Sequence, residues 1–166
     1  MPEAPLTPDE EVLWRALMRI VTTLPRLLDE DLARSTGMSL TEYATLMNLS
    51  EAPEREARLT DLANAIGLSP SRISRVVEDL RTRGLVTKRR ASADNRGFIA
   101  TLTPAGLSRL RKAYPGHLLS ARRRAFDHLD PDGLAEAGRV LNTIATRMAD
   151  SSAAARPDEP VPDAAR

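Results

Sequence analysis

The sequence predicts a mainly α-helical fold with one small β-hairpin, namely a winged helix-turn-helix domain flanked by N-terminal and C-terminal dimerisation helices. Three observations support this fold class. Apolar residues recur at spacings of three and four over most of the chain, which is the period of a helix. A short apolar helix ends at Gly67 and is followed at once by a second helix. Two β-prone segments then flank a polar loop, which indicates a hairpin.

The composition excludes several classes of protein. The chain has 166 residues, enough for one ordinary domain with its own core, and a formal net charge of +1. This balance argues against a wholly basic, histone-like protein. The chain has no cysteine, so disulfide frameworks and thiolate metal sites are excluded. The two histidines, His117 and His128, are expected on one helix as surface or interface residues, roughly 16 Å apart and too far to share a metal. We therefore expect no metal and no cofactor.

Two helices are predicted ahead of the winged segment. Residues 1–8 are rich in proline and are expected to be flexible, although Thr7 can cap the first helix. That helix covers 9–34, and Pro25 is expected to kink it or to end a first segment. The second helix is capped by Ser39. The apolar stripe of the first helix consists of Leu13, Leu17, Ile20, Leu24 and Leu27, with Trp14, Val21 and Leu28 beside it.

The winged segment covers 56–103, and its start overlaps a charged connector at 54–58. Its first helix is short and ends at Gly67, which sets the next helix at a steep angle. Ser69-Pro70 supplies the cap and the first residue of that second helix, which runs to about Arg83. The strands VTKRR and FIATL then form the hairpin. The second helix is expected to bury Ile73, Val76, Val77 and Leu80.

Further helices are predicted over 104–149, so that 9–150 forms a single domain. Pro115 and the glycine after it are expected to kink the first of these helices. The last helix is expected to start near Pro131. Residues 151–166 contain no Leu, Ile or aromatic residue and are predicted to be disordered.

The second helix of the winged segment carries a polar face that suits the major groove of DNA. Ser71, Arg72 and Arg75 lie along it, and arginine can donate two hydrogen bonds to a guanine edge. The same face can also be a solvated surface on which Arg75 pairs with Glu78 or with the following aspartate. The basic hairpin favours DNA, because a wing that lies along the minor groove accounts for its charge.

Residues 58–107 resemble the MarR family of bacterial transcription regulators. The matching parts are the block LSPSRISRVVEDLRTRGLV, the D-x-R of the hairpin (Asp94-Asn95-Arg96) and the LTPAG that leads into the next helix. The flanking helices, 8–50 and 104–149, match the layout of the family as well.

The resemblance implies a homodimer whose two winged domains reach adjacent half-sites of a palindromic operator. It also implies that Arg96 enters the minor groove and that Asp94 braces either the hairpin or an arginine of the second winged helix, Arg72 or Arg75. Gly97 departs from the family pattern, which often has Ser, Thr or a bulkier residue there, and predicts a more mobile wing. The candidate DNA-binding residues are Thr60, Ser69, Ser71, Arg72, Ser74, Arg75, Lys88, Arg89, Arg90, Asp94 and Arg96.

The long apolar stripes of the flanking helices support the dimer independently. A winged domain of this size cannot bury all of them, so they need one another and a second subunit. The alternative is a monomeric helical bundle layered on the winged domain.

An effector site is implied by the resemblance, because the family often binds small aromatic or anionic molecules in a cleft between the winged domain and the dimer helices. The candidates by position are Trp14, Arg15, Tyr43 and Met47. Each of them can equally be an ordinary core or surface residue.

These observations predict a DNA-binding transcriptional regulator, most simply a homodimeric repressor of a palindromic operator that a small aromatic or anionic effector releases. The alternative is a winged-helix module that binds protein and has no specific affinity for DNA. We expect no enzyme, because the sequence shows no nucleophile–base pair, metal cluster or glycine-rich phosphate loop. Without a signal peptide or an apolar span, a cytoplasmic, bacterial protein is expected, associated with the nucleoid when it is bound to DNA.

The near-neutral total conceals an uneven distribution of charge. Residues 70–99 contain 8 basic and 3 acidic side chains, and residues 100–124 contain 6 basic side chains and none that is acidic. The segments 1–69 and 125–166 are both acidic in balance. The positive charge therefore falls on the second helix of the winged segment, which we call the recognition helix, on the hairpin and on the helix that follows.

Overall fold

The structure, a computed structural model, describes residues 4–91 and 97–154 and confirms the mainly α-helical winged fold. The chain divides into a larger unit that ends at Arg124 and a second unit that begins at Ala125. In chain order the elements are α1 (Pro8–Thr36), α2 (Leu40–Glu51), a 3-10 turn (Pro53–Arg55), β1 (Glu56–Arg58), α3 (Leu59–Ile66), α4 (Pro70–Thr82), β2 (Val86–Arg90), β3 (Phe98–Leu102), α5 (Pro104–Ala121), a π-helical turn (Arg122–Phe126) and α6 (Pro131–Ala154).

The first helix is one continuous element. It does not end at Pro25, which was expected to kink it or to end a first segment. The capping box at Thr7 is present, with Glu10 as its partner. Much of the apolar stripe is not buried within the chain: the side chains of Trp14 and Val21 are 55% and 58% exposed. Only the last turns of α1 reach the core, where Leu32 is buried. The N-terminal half of α1 therefore presents an uncovered apolar surface.

The helix-turn-helix is formed by α3 and α4. Gly67 ends α3 in the left-handed region at φ 72°, and the Leu68 amide donates to the Ala63 carbonyl at 2.8 Å. The Ser69 side chain then caps α4 by accepting from the Arg72 amide. The inner side of α4 buries Ile73, Val77 and Leu80, while Val76 is half-buried. They join a core that also contains Leu46, Leu49, Leu62, Leu85, Val86, Ala100, Leu102 and Leu110.

The sheet has three antiparallel strands in the order β1-β3-β2, where the sequence indicated two. The hairpin strands β2 and β3 have the predicted bounds. The third strand, β1, lies in the segment 54–58 that was expected to be a connector, and it pairs with β3 through Ala57↔Ala100. A segment of three residues with a charged residue at each end is too short to show a pattern typical of a strand. β1 therefore forms only because it pairs with the edge of β3.

The C-terminal half of α1 is joined to the end of α5 by a group of side chains that we call the Asp31 cluster: Asp31, Arg34, Ser120, Arg123 and Arg124. The Asp31 carboxylate accepts from the Ser120 hydroxyl at 2.5 Å and from Arg123 at 3.0 Å. It also accepts from both Nε and a terminal nitrogen of Arg124, and from Arg34 at 2.6 Å. The hydrogen bonds from Arg124 and Ser120 hold the pKa of Asp31 far below its usual range.

α5 continues through Pro115 and Gly116, where a kink was expected. The departure from α-helical hydrogen bonding comes later, in the π-helical turn Arg122–Phe126.

In the second unit, α6 begins at Pro131 as predicted, and the Asp130 carboxylate accepts from the Gly133 amide at 2.7 Å. The helix continues to Ala154, so the expectation of disorder is wrong for 151–154, and residues 155–166 lie outside the described part of the chain. The helix leaves the side chains of Leu134 and Leu141 exposed. Within the described residues, no helix is both long and apolar enough to cross a membrane.

Candidate nucleic-acid interface

The outer face of α4 carries two exposed guanidinium groups. Arg72 and Arg75 lie one turn apart, opposite the buried apolar side, and in the described part of the chain neither has an ion-pair partner. Glu78, one of the two partners that the sequence offered for Arg75, is bound by Arg81 at 2.6 Å. The hydrogen bond from Arg81 also lowers the pKa of Glu78. The face is therefore cationic and available, rather than neutralised by its own acidic residues.

Hydroxyl groups surround the start of α4. Ser69 Oγ lies 3.4 Å from the Arg72 amide that it caps and 3.2 Å from Ser71 Oγ. Ser74 is half-buried one turn further along, and Thr60 is exposed in the first turn of α3. Free amides and hydroxyls at the N-terminus of a helix form a favourable site for an anion such as a phosphate.

The three cations of β2 are divided between the two faces of the sheet. Lys88 and Arg90 share the face of the buried Ala100, and Lys88 Nζ lies 3.5 Å from Ser74 Oγ of α4. Arg89 points to the opposite face, as the alternation of a strand requires, and binds Glu56 of β1 at 2.6 Å. The geometry thus brings Lys88 and Arg90, but not Arg89, to the side of the recognition helix.

Sequence reasoning missed Phe98, which starts β3 on the same face as Lys88 and Arg90. The ring centroid lies 4.5 Å from Lys88 Nζ and 5.9 Å from Arg90 Cζ. The signal was present in the sequence, because pairing VTKRR with FIATL end to end places Phe98 opposite Arg90 and on the same face as Lys88.

Two candidates of the hairpin loop, Asp94 and Arg96, lie outside the described residues. The Ala91 amide donates to the Gly97 carbonyl at 3.1 Å, so the loop leaves and re-enters the sheet at one point. Gly97 has a φ of 129°, a conformation that few residues other than glycine adopt.

The four effector candidates occupy different places. Tyr43 is only 3% exposed, and its ring centroid lies 4.4 Å from that of His117. Burial raises the pKa of Tyr43 to about 12 and lowers the pKa of His117. Trp14 and Arg15 lie on the exposed half of α1, where Arg15 pairs with Glu11 at 2.9 Å.

Met47, the fourth candidate, lines a cavity of about 260 Å³ between α2 and α5. The other lining residues are Ser50, Leu107, Leu110, Arg111 and Tyr114.

The prediction that both histidines lie on one helix is wrong. His117 lies within α5 with its Nδ1 buried, whereas His128 belongs to the turn that precedes α6.

A sequence model of the MarR family matches residues 36–97, which run from the end of α1 into the hairpin. The chain is 34% identical to Sco3205, a MarR family transcriptional regulator from Streptomyces coelicolor whose crystal structure is a complex with DNA. That comparison covers 87% of this chain and 91% of Sco3205, with a TM-score of 0.76.

Two further structures give the same result. AbsC, a MarR family transcriptional regulator from Streptomyces coelicolor, is 33% identical over 89% of this chain and 99% of its own, with a TM-score of 0.75. A MarR family transcriptional regulator from Silicibacter pomeroyi is 27% identical over 90% and 99%, with a TM-score of 0.70. The family consists of DNA-binding transcription factors and not of enzymes, in agreement with the sequence. On the winged geometry, the family match and relatives one third identical over most of both chains, this chain belongs to the MarR family of transcriptional regulators.

Proposed function

We propose that this protein is a homodimeric repressor that binds a palindromic DNA operator and is released from it by a small aromatic or anionic effector. The observation that carries the DNA-binding part is the pair of exposed guanidinium groups, Arg72 and Arg75, on the outer face of α4, which have no ion-pair partner among residues 4–91 and 97–154. They stand beside the cationic face of the hairpin, where Lys88 and Arg90 lie.

Each part of this surface has a distinct role in the proposal. Arg72 and Arg75 read base edges in the major groove. The candidates Thr60, Ser69, Ser71 and Ser74, with the free amides of α4, hold phosphates. Lys88 and Arg90 neutralise phosphates beside the groove, and Arg96, by resemblance to the family, enters the minor groove with Asp94 as its brace. The crystal structure of Sco3205, 34% identical to this chain, is a complex with DNA, which supports DNA binding by this chain.

The proposed dimer rests on uncovered apolar surface. The N-terminal half of α1 exposes Val12, Trp14, Ile20 and Val21, and α6 exposes Leu134 and Leu141. Such extended apolar faces are uncommon on monomeric proteins and mark surfaces that another protein covers. A second copy of this chain would bury them and would also place two copies of α4 on one palindromic site.

The proposed effector site is the cavity between α2 and α5. Its apolar lining would accommodate a ring, and Arg111 and Tyr114, which also line it, would donate hydrogen bonds to a carboxylate. α2 is connected to the recognition helix by an ion pair of 2.5 Å between Glu42 and Arg83, at the end of α4. A ligand that separates α2 from α5 therefore acts on the position of α4, which is the coupling that release from DNA requires.

The DNA-binding part is tested by fluorescence anisotropy on a labelled fragment of the protein's own promoter region, over a series of salt concentrations. Arg72→Ala and Arg75→Ala should each weaken binding by ~1–3 kcal/mol and relax the sequence preference. Arg81→Ala is the matched control, because it removes the same charge from the same helix but from a guanidinium that Glu78 already binds. Wild-type protein that binds no DNA at moderate salt contradicts the proposal and favours the protein-interaction module.

The effector part is tested with benzoate as the probe. Saturating benzoate should raise the thermal midpoint of the wild-type protein, by linkage of binding to folding, and should lower its affinity for the operator. Arg111→Ala should remove both effects and should leave DNA binding without benzoate unchanged. Equal responses of the wild type and Arg111→Ala to benzoate would assign the effect to another site.

A further inference from the structure

Phe98 is a large apolar side chain that remains 39% exposed in the middle of the candidate interface. Both of the cations on its face of the sheet approach the ring, Lys88 Nζ to 4.5 Å and Arg90 Cζ to 5.9 Å from the centroid. Both distances lie within the ~6 Å over which the face of an aromatic ring attracts a cation. The exposed ring is therefore the contact that these two side chains share.

The register of the strands accounts for this arrangement. Arg90 lies directly opposite Phe98 in the β2–β3 pairing, and Lys88 lies opposite Ala100, two residues along the same face. Lys88 also reaches towards Ser74, so its ammonium group extends from the ring to the recognition helix. The three side chains form one group that connects the hairpin to α4.

Arg89, on the other face of the same strand, has a carboxylate as its partner instead of an aromatic ring. Its guanidinium is held by the Glu56 carboxylate at 2.6 Å, which orders the side chain but cancels its charge. An aromatic ring orders a cation without adding negative charge, and among the described residues neither Lys88 nor Arg90 forms an ion pair with a carboxylate, so both can bind a phosphate. The same strand thus has one neutralised cation and two cations that are ordered and still available.

We propose that Phe98 is a positioning residue that orders Lys88 and Arg90 for contact with DNA phosphates without pairing them with a carboxylate. The inference rests on the proposed DNA-binding function and adds a residue that makes no contact with the phosphates itself. Long cationic side chains lose rotamer freedom when they bind, and a side chain that is ordered beforehand loses less. The ring therefore increases affinity without changing the number of charges that meet DNA.

The test compares Phe98→Leu, which keeps an apolar side chain without a π face, with Phe98→Tyr and Phe98→Trp, which keep the ring. Phe98→Leu should weaken binding to the promoter fragment roughly fivefold, and the two aromatic variants should bind like the wild type. The slope of log affinity against log salt should be the same in all four proteins, whereas Lys88→Ala should lower it by about 1. Wild-type affinity in Phe98→Leu would overturn the proposal.

A double-mutant cycle separates positioning from direct contact of the ring with DNA. If Phe98 acts through the cations, Phe98→Leu should have little further effect in the Lys88→Ala/Arg90→Ala background. An undiminished fivefold loss in that background would mean that the ring contacts DNA directly, and would overturn the positioning role.

A measurement without DNA distinguishes failure of this inference from failure of the proposed function. The chain has two lysines, Lys88 and Lys112, so a lysine-labelled sample gives two sets of NMR signals. The methylene protons next to Lys88 Nζ should be shifted upfield by the ring, and Phe98→Leu should abolish that shift while Lys112 stays unchanged. A Lys88 signal that does not respond to Phe98→Leu overturns the inference, whereas wild-type protein that fails to bind DNA overturns the proposed function.

Discussion

Asp31 and Arg124, 93 residues apart in the chain, form a two-point ion pair. Arg124 Nε lies 3.0 Å from one carboxylate oxygen, and a terminal nitrogen lies 3.1 Å from the other. The Asp31 side chain is only 6% exposed and also accepts from Ser120 and Arg123. One carboxylate thus joins the last turns of α1 to the end of α5 and the start of the π-helical turn.

Removal of this carboxylate should destabilise the fold. Asp31→Ala leaves Arg34, Arg123 and Arg124 close together without an anion, so its thermal midpoint should be lower than that of the wild type. The midpoint of Asp31→Asn should lie between those of the wild type and Asp31→Ala. Glu30→Gln is the matched control, since it removes a neighbouring charge whose partner, Arg26, is exposed; it should change stability by no more than about 0.5 kcal/mol. Calorimetry of the four proteins checks this order, and equal midpoints for Asp31→Ala and Glu30→Gln would contradict it.

The contribution of Asp31 should depend on pH with a definite sign. Because the pKa of Asp31 is lowered in the folded state, its contribution is complete above the unfolded value of 3.8 and is lost as the pH falls towards the folded value. The difference in thermal midpoint between the wild type and Asp31→Asn should therefore be constant from pH 7 to about 5 and should shrink below about 4. A difference that grows on acidification would contradict this assignment.

Alanine in place of two helical glycines should change the stability of the fold in opposite directions. A Cβ at Gly106 of α5 would lie 2.0 Å from the Leu85 carbonyl oxygen, so Gly106→Ala should cost about 1–3 kcal/mol. At Gly138 of α6, such a Cβ would meet no atom of the described residues within 4 Å apart from its chain neighbours and the adjacent helix backbone, and Gly138→Ala should stabilise the helix by about 0.5–1 kcal/mol. Urea unfolding of both variants measures the two signs.

The proposed dimer predicts that a charge on the exposed half of α1 gives a monomer. Val21→Glu should reduce the mass found by light scattering from about twice 18.2 kDa to 18.2 kDa. Ala105→Glu, which adds the same charge at an exposed position in the first turn of α5, should leave the wild-type mass unchanged. Wild-type protein with the mass of one chain would contradict the dimer, and a Val21→Glu dimer would remove α1 from its interface.

The winged segment could be predicted because its signals are local. A glycine after a short apolar helix, a Ser-Pro cap and two β-prone segments around a polar loop each specify their own conformation. The alternation within β2 was sufficient to separate Arg89 from Lys88 and Arg90, but the three were treated as one basic cluster. Phe98 went unnoticed because a single aromatic residue in a strand usually packs in a core.

The features that sequence reasoning missed depend on distant partners. β1 needs the edge of β3, and Asp31 has the pattern of a surface acid until the end of α5 is placed beside it. The stripe of α1 was correctly recognised as helical, but periodicity shows which side of a helix is apolar and not what covers it.

The base of the hairpin has a consequence for how this regulator can vary. Val86 pairs with Leu102 where the two strands meet the helices, and Thr103 donates to the carbonyl oxygens of Gly84 and Leu85. At the other end, the bond between Ala91 and Gly97 closes the ladder before the tip. The paired strands are thus fixed at both ends by backbone contacts of the described residues. Substitutions at exposed positions of β2 and β3 can therefore change the charge of the sheet without changing the register of the two strands.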